Sequence, residues 1–198
     1  MSSQSHKTPL ILASVSPYRR ELLERLGLPF ETAASDVDET PRAGEDPEHL
    51  VHRLARAKAD AVARRHASAV VIGSDQVAVC GREIVGKPGE PERARDQLRL
   101  FSGRSVHFLT AFAVLQRPGD RLIEGRVDTE CVFRTLSDAE IDRYLELDRP
   151  YDCAGSFKSE RAGLALLDRM SSDDPTALIG LPLIALSAAL RLLGYATP

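Results

Sequence analysis

A chain whose first apolar run turns through two serines and a proline, and then meets two adjacent arginines, has few ways to begin its fold. Leu10-Ile11-Leu12-Ala13 reads as a buried strand, and Ser14-Val15-Ser16 as a small-residue turn. Pro17 then opens a helix that holds Tyr18, Arg19 and Arg20 in its first turn. Proline suits the first helical position because its φ is already helical and its missing N–H would go unpaired there. Ser16 stands where an N-cap belongs. The arginines are out of place, because cations are disfavoured beside the positive end of a helix dipole. Free N–H groups, serine hydroxyls and guanidiniums together suit an anion, above all phosphate. Solvent explains either arginine alone; the ensemble of Ser14, Ser16, Arg19 and Arg20 favours phosphate.

The rest of the chain predicts a mixed α/β fold. Helices are expected at about 17–26, 47–66 (capped by Asp46), 91–101, 137–147 and 182–193. Strands are expected near 10–13, 29–32 and 69–73, the last running to Ser74-Asp75-Gln76 with 77–80 as an extension. Gly81-Arg82 reads as a hairpin turn. Segments 105–116 and 122–134, joined at Pro118-Gly119-Asp120, read as an antiparallel hairpin. Ser137-Asp138-Ala139-Glu140 is a capping box. Residues 151–163 read as an irregular glycine-bearing loop, and 165–167 as a short strand. Alternating helices and strands followed by a hairpin predict a mixed, twisted central sheet with flanking helices, in two lobes around a cleft. Residues 1–8 read as a flexible N-terminus and 9–198 as a single domain.

Composition narrows the partners. The chain of 198 residues has a formal net charge of −3, so it lacks the basic surplus that duplex nucleic acid demands. A small polyphosphate needs only a local basic pocket. No apolar stretch reaches the roughly 18 residues of a membrane span, and no signal peptide is visible. Three widely spaced cysteines form neither a disulfide framework nor a zinc signature, which fits a reducing cytoplasm. The five histidines show no metal spacing.

Several residues carry potential chemistry. Asp75 follows a buried strand, at the lip where α/β sheets bind ligands, and suits a divalent cation or a proton from water. A turn-capping aspartate is the plain alternative. The acidic loop Asp36-Val37-Asp38-Glu39 offers Glu39 as a second carboxylate for Mg²⁺, or simply a solvated charge. Lys58 shares the apolar helix face of Leu50 and Leu54, so it must snorkel or meet an anion. Lys87 sits on the stiff loop Gly86-Lys87-Pro88-Gly89, and Lys158 on the polar loop Gly155-Ser156-Phe157-Lys158-Ser159-Glu160. Both are candidate phosphate contacts; the plain alternatives are a turn lysine in water for Lys87 and a mobile surface loop for Lys158.

In order, these segments resemble the Maf family of nucleoside triphosphate pyrophosphatases. The matching pieces are Leu12-Ala-Ser-x-Ser-Pro-x-Arg-Arg-x-Leu-Leu, Asp38-Glu-Thr-Pro41, Leu54-Ala-x-x-Lys58-Ala, Ile72-Gly-Ser-Asp75, Gly86-Lys-Pro88, Asp152-x-Ala-Gly155 and Ile179-Gly-Leu-Pro182. The resemblance implies a fold related to inosine triphosphate pyrophosphatases. It also implies hydrolysis between the α- and β-phosphates with a divalent metal, Mg²⁺ or Mn²⁺. It makes Asp75 the proton acceptor and a metal ligand with Glu39, and Ser14, Arg19, Arg20, Lys58 and Lys87 phosphate contacts. Homodimerisation is suggested by the resemblance alone. Tyr18, Gln76 and Glu160 depart from the commoner family pattern and look like the branch that hydrolyses N7-methyl-GTP. An aromatic face attracts a cationic methylguanine, and a carboxylate accepts from guanine's N1–H and 2-amino group. The alternatives are a dTTP/UTP pyrophosphatase and a non-catalytic nucleotide-binding regulator of septum formation.

Overall fold

The computed structural model describes residues 8–119 and 121–198, so most of the expected N-terminal tail and turn residue Asp120 lie outside the described residues. β1 (Leu10–Leu12) lies between β2 (Glu31–Thr32) and β3 (Val70–Cys80) and runs parallel to both. Each parallel step crosses over through a helix, α1 (Pro17–Glu24) and then α2 (Pro47–Ala63). From β3 onward every pairing is antiparallel. β3 turns at Gly81 into β4 (Glu83–Val85), then pairs with β5 (Ser105–Gln116), which pairs with β6 (Arg121–Phe133) and so with β7 (Leu167–Ser172). The sheet order is β2-β1-β3-β5-β6-β7, a mixed sheet as expected.

β3 is the spine of the molecule and serves three apolar clusters. Val70 and Ile72 face one core with α1 and α5 (Leu183–Leu192), while Val71 faces another with α2. Ala78 and Cys80, past the middle of the strand, join a third core with α3 (Pro91–Phe101) and α4 (Asp138–Asp148). A strand buried on both faces reads as a near-continuous apolar run, which β3 does except at Ser74, Asp75 and Gln76. Those three polar residues fall where the strand passes from the first two cores towards the third.

Two local features bring α2 against this point. Asp46 accepts a hydrogen bond from the His49 N–H at 3.0 Å and starts the helix, with Pro47 at its first position. Gly73 then lets helix and strand approach closely. A Cβ there would lie 2.1 Å from the Ala55 carbonyl oxygen and 2.7 Å from the Ala59 nitrogen.

The structure changes some expected boundaries. α2 ends at Ala63: Arg64 N–H still donates to Asp60, but the next two residues tighten into i→i−3 bonds, Arg65 N–H to Val62 and His66 N–H to Ala63. Asp75 sits in mid-strand, not at a strand end, since Val77 to Cys80 continue β3 to its pairing with β4. The expected strand at 165–167 lies further on, at Leu167–Ser172, an exposed edge whose register comes from β6.

Candidate active site

An open cleft of about 480 Å³ crosses the sheet where β3 turns polar. Its walls come from the β1–α1 turn, the loop before α2, α2 itself, and the loops at 86–89, 152–160 and 177–180. The cleft has two chemically different ends.

At the first end, Ser14, Ser16, Arg19, Lys58, Lys87 and Glu39 line the wall. The Lys58 ammonium stands 2.6 Å from Asp75 Oδ1 and 2.6 Å from Glu39 Oε1. It therefore lies between the two acids, with Asp75 buried behind it. Burial pushes the Asp75 carboxyl above the usual carboxylate range, against the pull of Lys58 and Arg19. Glu39 is held below its ordinary value: Lys58, Lys87 and Arg19 together outweigh its desolvation. Lys58 thus meets anions; it does not snorkel to water.

Arg19 turns from α1 across the cleft floor, its Nε donating to the Gly180 carbonyl at 2.9 Å. Arg20 does not join it. Its Nε pairs with Glu24 one turn along the exposed face of α1, 3.0 Å away, and it is not part of the cleft wall. Successive helical residues point about 100° apart, so two adjacent arginines do not face one site together. Ser16 caps α1 by position only, and its own N–H donates to Ser14 Oγ at 3.2 Å.

The second end is aromatic and acidic, lined by Tyr18, Asp152, Cys153, Phe157 and Glu160. Lys158, expected among the phosphate contacts, stands beside this end instead. It is buried, and its ammonium donates to the Asp148 carbonyl at 3.0 Å and lies 5.3 Å from the centre of the Tyr18 ring. Arg149 ends α4 in the left-handed region (φ 44°), and Lys158 satisfies carbonyls that the helix end leaves free. The Lys158 N–H also donates to the Tyr144 hydroxyl at 2.9 Å. Asp152 Oδ1 accepts from the Tyr18 hydroxyl at 3.4 Å. Glu160 stands at the rim, its carboxyl raised by desolvation and by the charges of Asp148 and Glu21, with Lys158 opposing.

Gln76 lines the cleft between the two ends, with its amide N–H groups turned to the wall. They donate to the carbonyls of Ala177 (2.9 Å) and Leu178 (3.0 Å). Sequence reasoning reached residues 179–182 by resemblance but missed the residues that hold this wall. Asp174, buried, accepts from the Ile184 N–H at 2.7 Å, and Thr176 Oγ1 accepts from the Leu183 N–H at 2.9 Å. The two side chains therefore cap α5 and fix the 177–180 loop that holds Gln76 and Arg19. The readable signal was Asp174-Pro175-Thr176, a turn-forming triplet ahead of an apolar helix.

The carboxylates suit a hard divalent cation. Glu39 and Asp75 converge on one point and offer only oxygen, and no third His, Cys, Asp or Glu joins them among the described residues. That donor set fits Mg²⁺ or Mn²⁺, which take one or two carboxylates and complete their shell with water and substrate phosphate.

The chain is similar to known proteins in both sequence and fold. The family described as Maf-like protein matches residues 9–193. A Cupriavidus metallidurans protein named 7-methyl-GTP pyrophosphatase is 55% identical over 196 residues, 98% of each chain. One of the same name from Bordetella pertussis is 58% identical over 185 residues, 93% of this chain and 90% of its own. In fold, the chain is similar to the structure of the Staphylococcus aureus Ham1 protein, with a TM-score of 0.54 at 13% identity, over 93% of this chain and 99% of that one.

Proposed function

The chain belongs to the Maf-like family, and from that premise we propose that it is a pyrophosphatase that hydrolyses the α–β phosphate bond of N7-methyl-GTP. The products are N7-methyl-GMP and pyrophosphate. The observation that carries this reading is the polarity of the cleft: cations gather around buried Asp75 at one end, and Tyr18, Asp152 and Glu160 at the other.

The triphosphate lies along Ser14, Ser16, Arg19, Lys58 and Lys87, whose charges and hydroxyls neutralise it and the departing pyrophosphate. Asp75 accepts a proton from the attacking water as the bridging P–O bond breaks. Burial raises the basicity of its carboxylate as long as no divalent cation is bound beside it. Glu39 and Asp75 would hold the divalent cation, which when bound supplies Lewis-acid polarisation of the phosphate oxygens.

At the base end, one face of Tyr18 already lies against the Lys158 ammonium. That neighbour draws the ring's electrons away from the face open to the cleft, so stacking supplies shape more than cation attraction. The positive charge of a methylated guanine is met chiefly by the carboxylates of Glu160 and Asp152, and Glu160 accepts from N1–H and the 2-amino group. Lys158 acts by positioning Tyr18.

The three cysteines are free, which supports action in a reducing cytoplasm, where the reaction would clear stray methylated nucleotide. No helix among the described residues is long and apolar enough to cross a membrane. Residues 9–198 act as one catalytic unit, and the family resemblance suggests a homodimer, which light scattering would read directly.

The test is pyrophosphate release with Mg²⁺ or Mn²⁺ from N7-methyl-GTP, GTP, UTP, dTTP and CTP. Selective, metal-dependent turnover of N7-methyl-GTP is the expected result. Preference for UTP and dTTP would keep the chemistry and discard the base assignment. No turnover by folded protein would point to a binding regulator.

A further inference from the structure

The Lys58 ammonium occupies the point on which the two acidic side chains converge, 2.6 Å from each. Its partners, Glu39 Oε1 and Asp75 Oδ1, are oxygens that a divalent cation at this point would take. An ammonium has three donors and no lone pair, so it cannot ligate a metal alongside them. Two cations also repel strongly over such a distance in a buried site. Lys58 and the metal therefore exclude one another.

We infer that Lys58 is the resident counter-ion of this site: it holds Glu39 and Asp75 together before metal arrives, and it moves onto the triphosphate when metal takes the carboxylates. This rests on reading Glu39 and Asp75 as metal ligands. Three features fit the exchange. Lys58 itself forms part of the cleft wall, so the substrate's phosphates lie within the sweep of its flexible four-carbon stem. Asp75 stands behind Lys58 and off the wall, so its release opens the path between carboxylate and substrate. Glu39 comes from the exposed loop before α2, and Lys58 is the ion pair that fastens it to the sheet. The consequence is coupled loading. Metal alone must displace an ion-paired lysine with nowhere to go, and substrate alone must take a lysine from two acids. Together each supplies the partner that the other removes, and the coupling is reciprocal.

The experiment is a Mn²⁺ titration of the full chain, followed by electron paramagnetic resonance without nucleotide, in wild type and Lys58→Met. The variant keeps the buried stem and removes the charge. Loss of Coulomb repulsion is expected to tighten Mn²⁺ binding by about tenfold or more, while turnover of N7-methyl-GTP falls. A merely structural lysine gives the opposite result, with equal or weaker Mn²⁺ binding as the acids splay, and that overturns the inference. Lys58→Gln is the second variant and should behave alike. If either variant melts early, the rise of its melting temperature with Mn²⁺ is compared with that of wild type. A larger rise in the variant supports the exchange, and an equal or smaller rise overturns it. Failure of wild type to bind Mn²⁺ even with N7-methyl-GTP present would remove the metal reading itself, and the inference with it.

Discussion

The two ends of the cleft are built differently. The phosphate end draws single residues from elements far apart in the chain: Arg19 from α1, Glu39 from a loop, Lys58 from α2 and Asp75 from mid-β3. Lys58 meets Asp75 because Gly73 lets α2 settle on the sheet, and both lie buried. The base end takes most of its groups from one loop, 152–160, hung on the C-terminus of α4 through Lys158. A reaction centre must hold its groups to fractions of an ångström, and packed elements do that better than loops. A selectivity surface can sit on a loop, where it changes without disturbing the reaction.

The largest expected effect tests this division at its deep end. Asp75→Asn keeps the shape and removes the base, and should lower turnover of every nucleotide by about 10²–10⁴-fold, the range of general base catalysis. The fold should survive, as steady-state rates and melting curves together would show. A loss confined to the methylated base would break the division outright.

Gly73→Ala probes the packing behind that end. Its added methyl would press on the Ala55 carbonyl and the Ala59 nitrogen, backbone atoms that cannot swing aside. A destabilisation of about 1–3 kcal/mol is expected from overpacking. Turnover should fall for all substrates as Lys58 retreats from Asp75, and the base preference should persist. An unchanged melting temperature would show that α2 is looser than its contacts imply.

Glu160→Gln addresses the other end. Losing the charged acceptor should cost roughly 10–100-fold in preference for N7-methyl-GTP over GTP and UTP, the usual worth of a charged hydrogen bond. Turnover of the poorer substrates should hardly change. pH sharpens the point. The carboxyl of Glu160 is raised, so its charge is present above that raised pKa and lost as pH falls through it. Discrimination should therefore fade on acidification sooner than an ordinary carboxylate would allow, and the variant should lack this dependence. Equal pH profiles for the two proteins would assign base selection elsewhere, with Asp152 next in place.

Much of the site was legible because it obeys local rules. A lysine on an apolar helix stripe must meet something, and Lys58 meets two acids. Pro17, Pro47 and Pro91 each open a helix where the pattern places one. What was not legible depends on distant parts of the chain. β7 is a polar edge strand, Leu-Asp-Arg-Met-Ser-Ser, without alternation, and only its pairing with β6 makes it a strand. Lys158 reads as a phosphate contact until Arg149 turns left-handed and presents the end of α4 to it. Gln76 reads as a base contact, while its donors are taken by a loop a hundred residues away.

The smallest expected effect concerns the neighbouring arginines. Arg19 crosses to Gly180 and lies close enough to lower Glu39 and oppose the rise of Asp75; Arg20 lies along the outside of α1 against Glu24. Exposed i,i+4 pairs contribute only about 0.3–0.5 kcal/mol, so Arg20→Ala should shift stability within that range. It should change kcat/KM by less than about twofold, since a charge held on the outer face and screened by solvent adds little to the field inside the cleft. Arg19→Ala removes a cation from the phosphate end, and should raise KM and lower kcat with every substrate. The pair is a strict test because both residues share one helix turn and one charge, and only their direction differs. If Arg20→Ala cost as much as Arg19→Ala, Arg20 would have to leave Glu24 and swing inward on substrate binding. The phosphate end would then be assembled partly by its ligand, which would narrow the contrast with the loop-built base end.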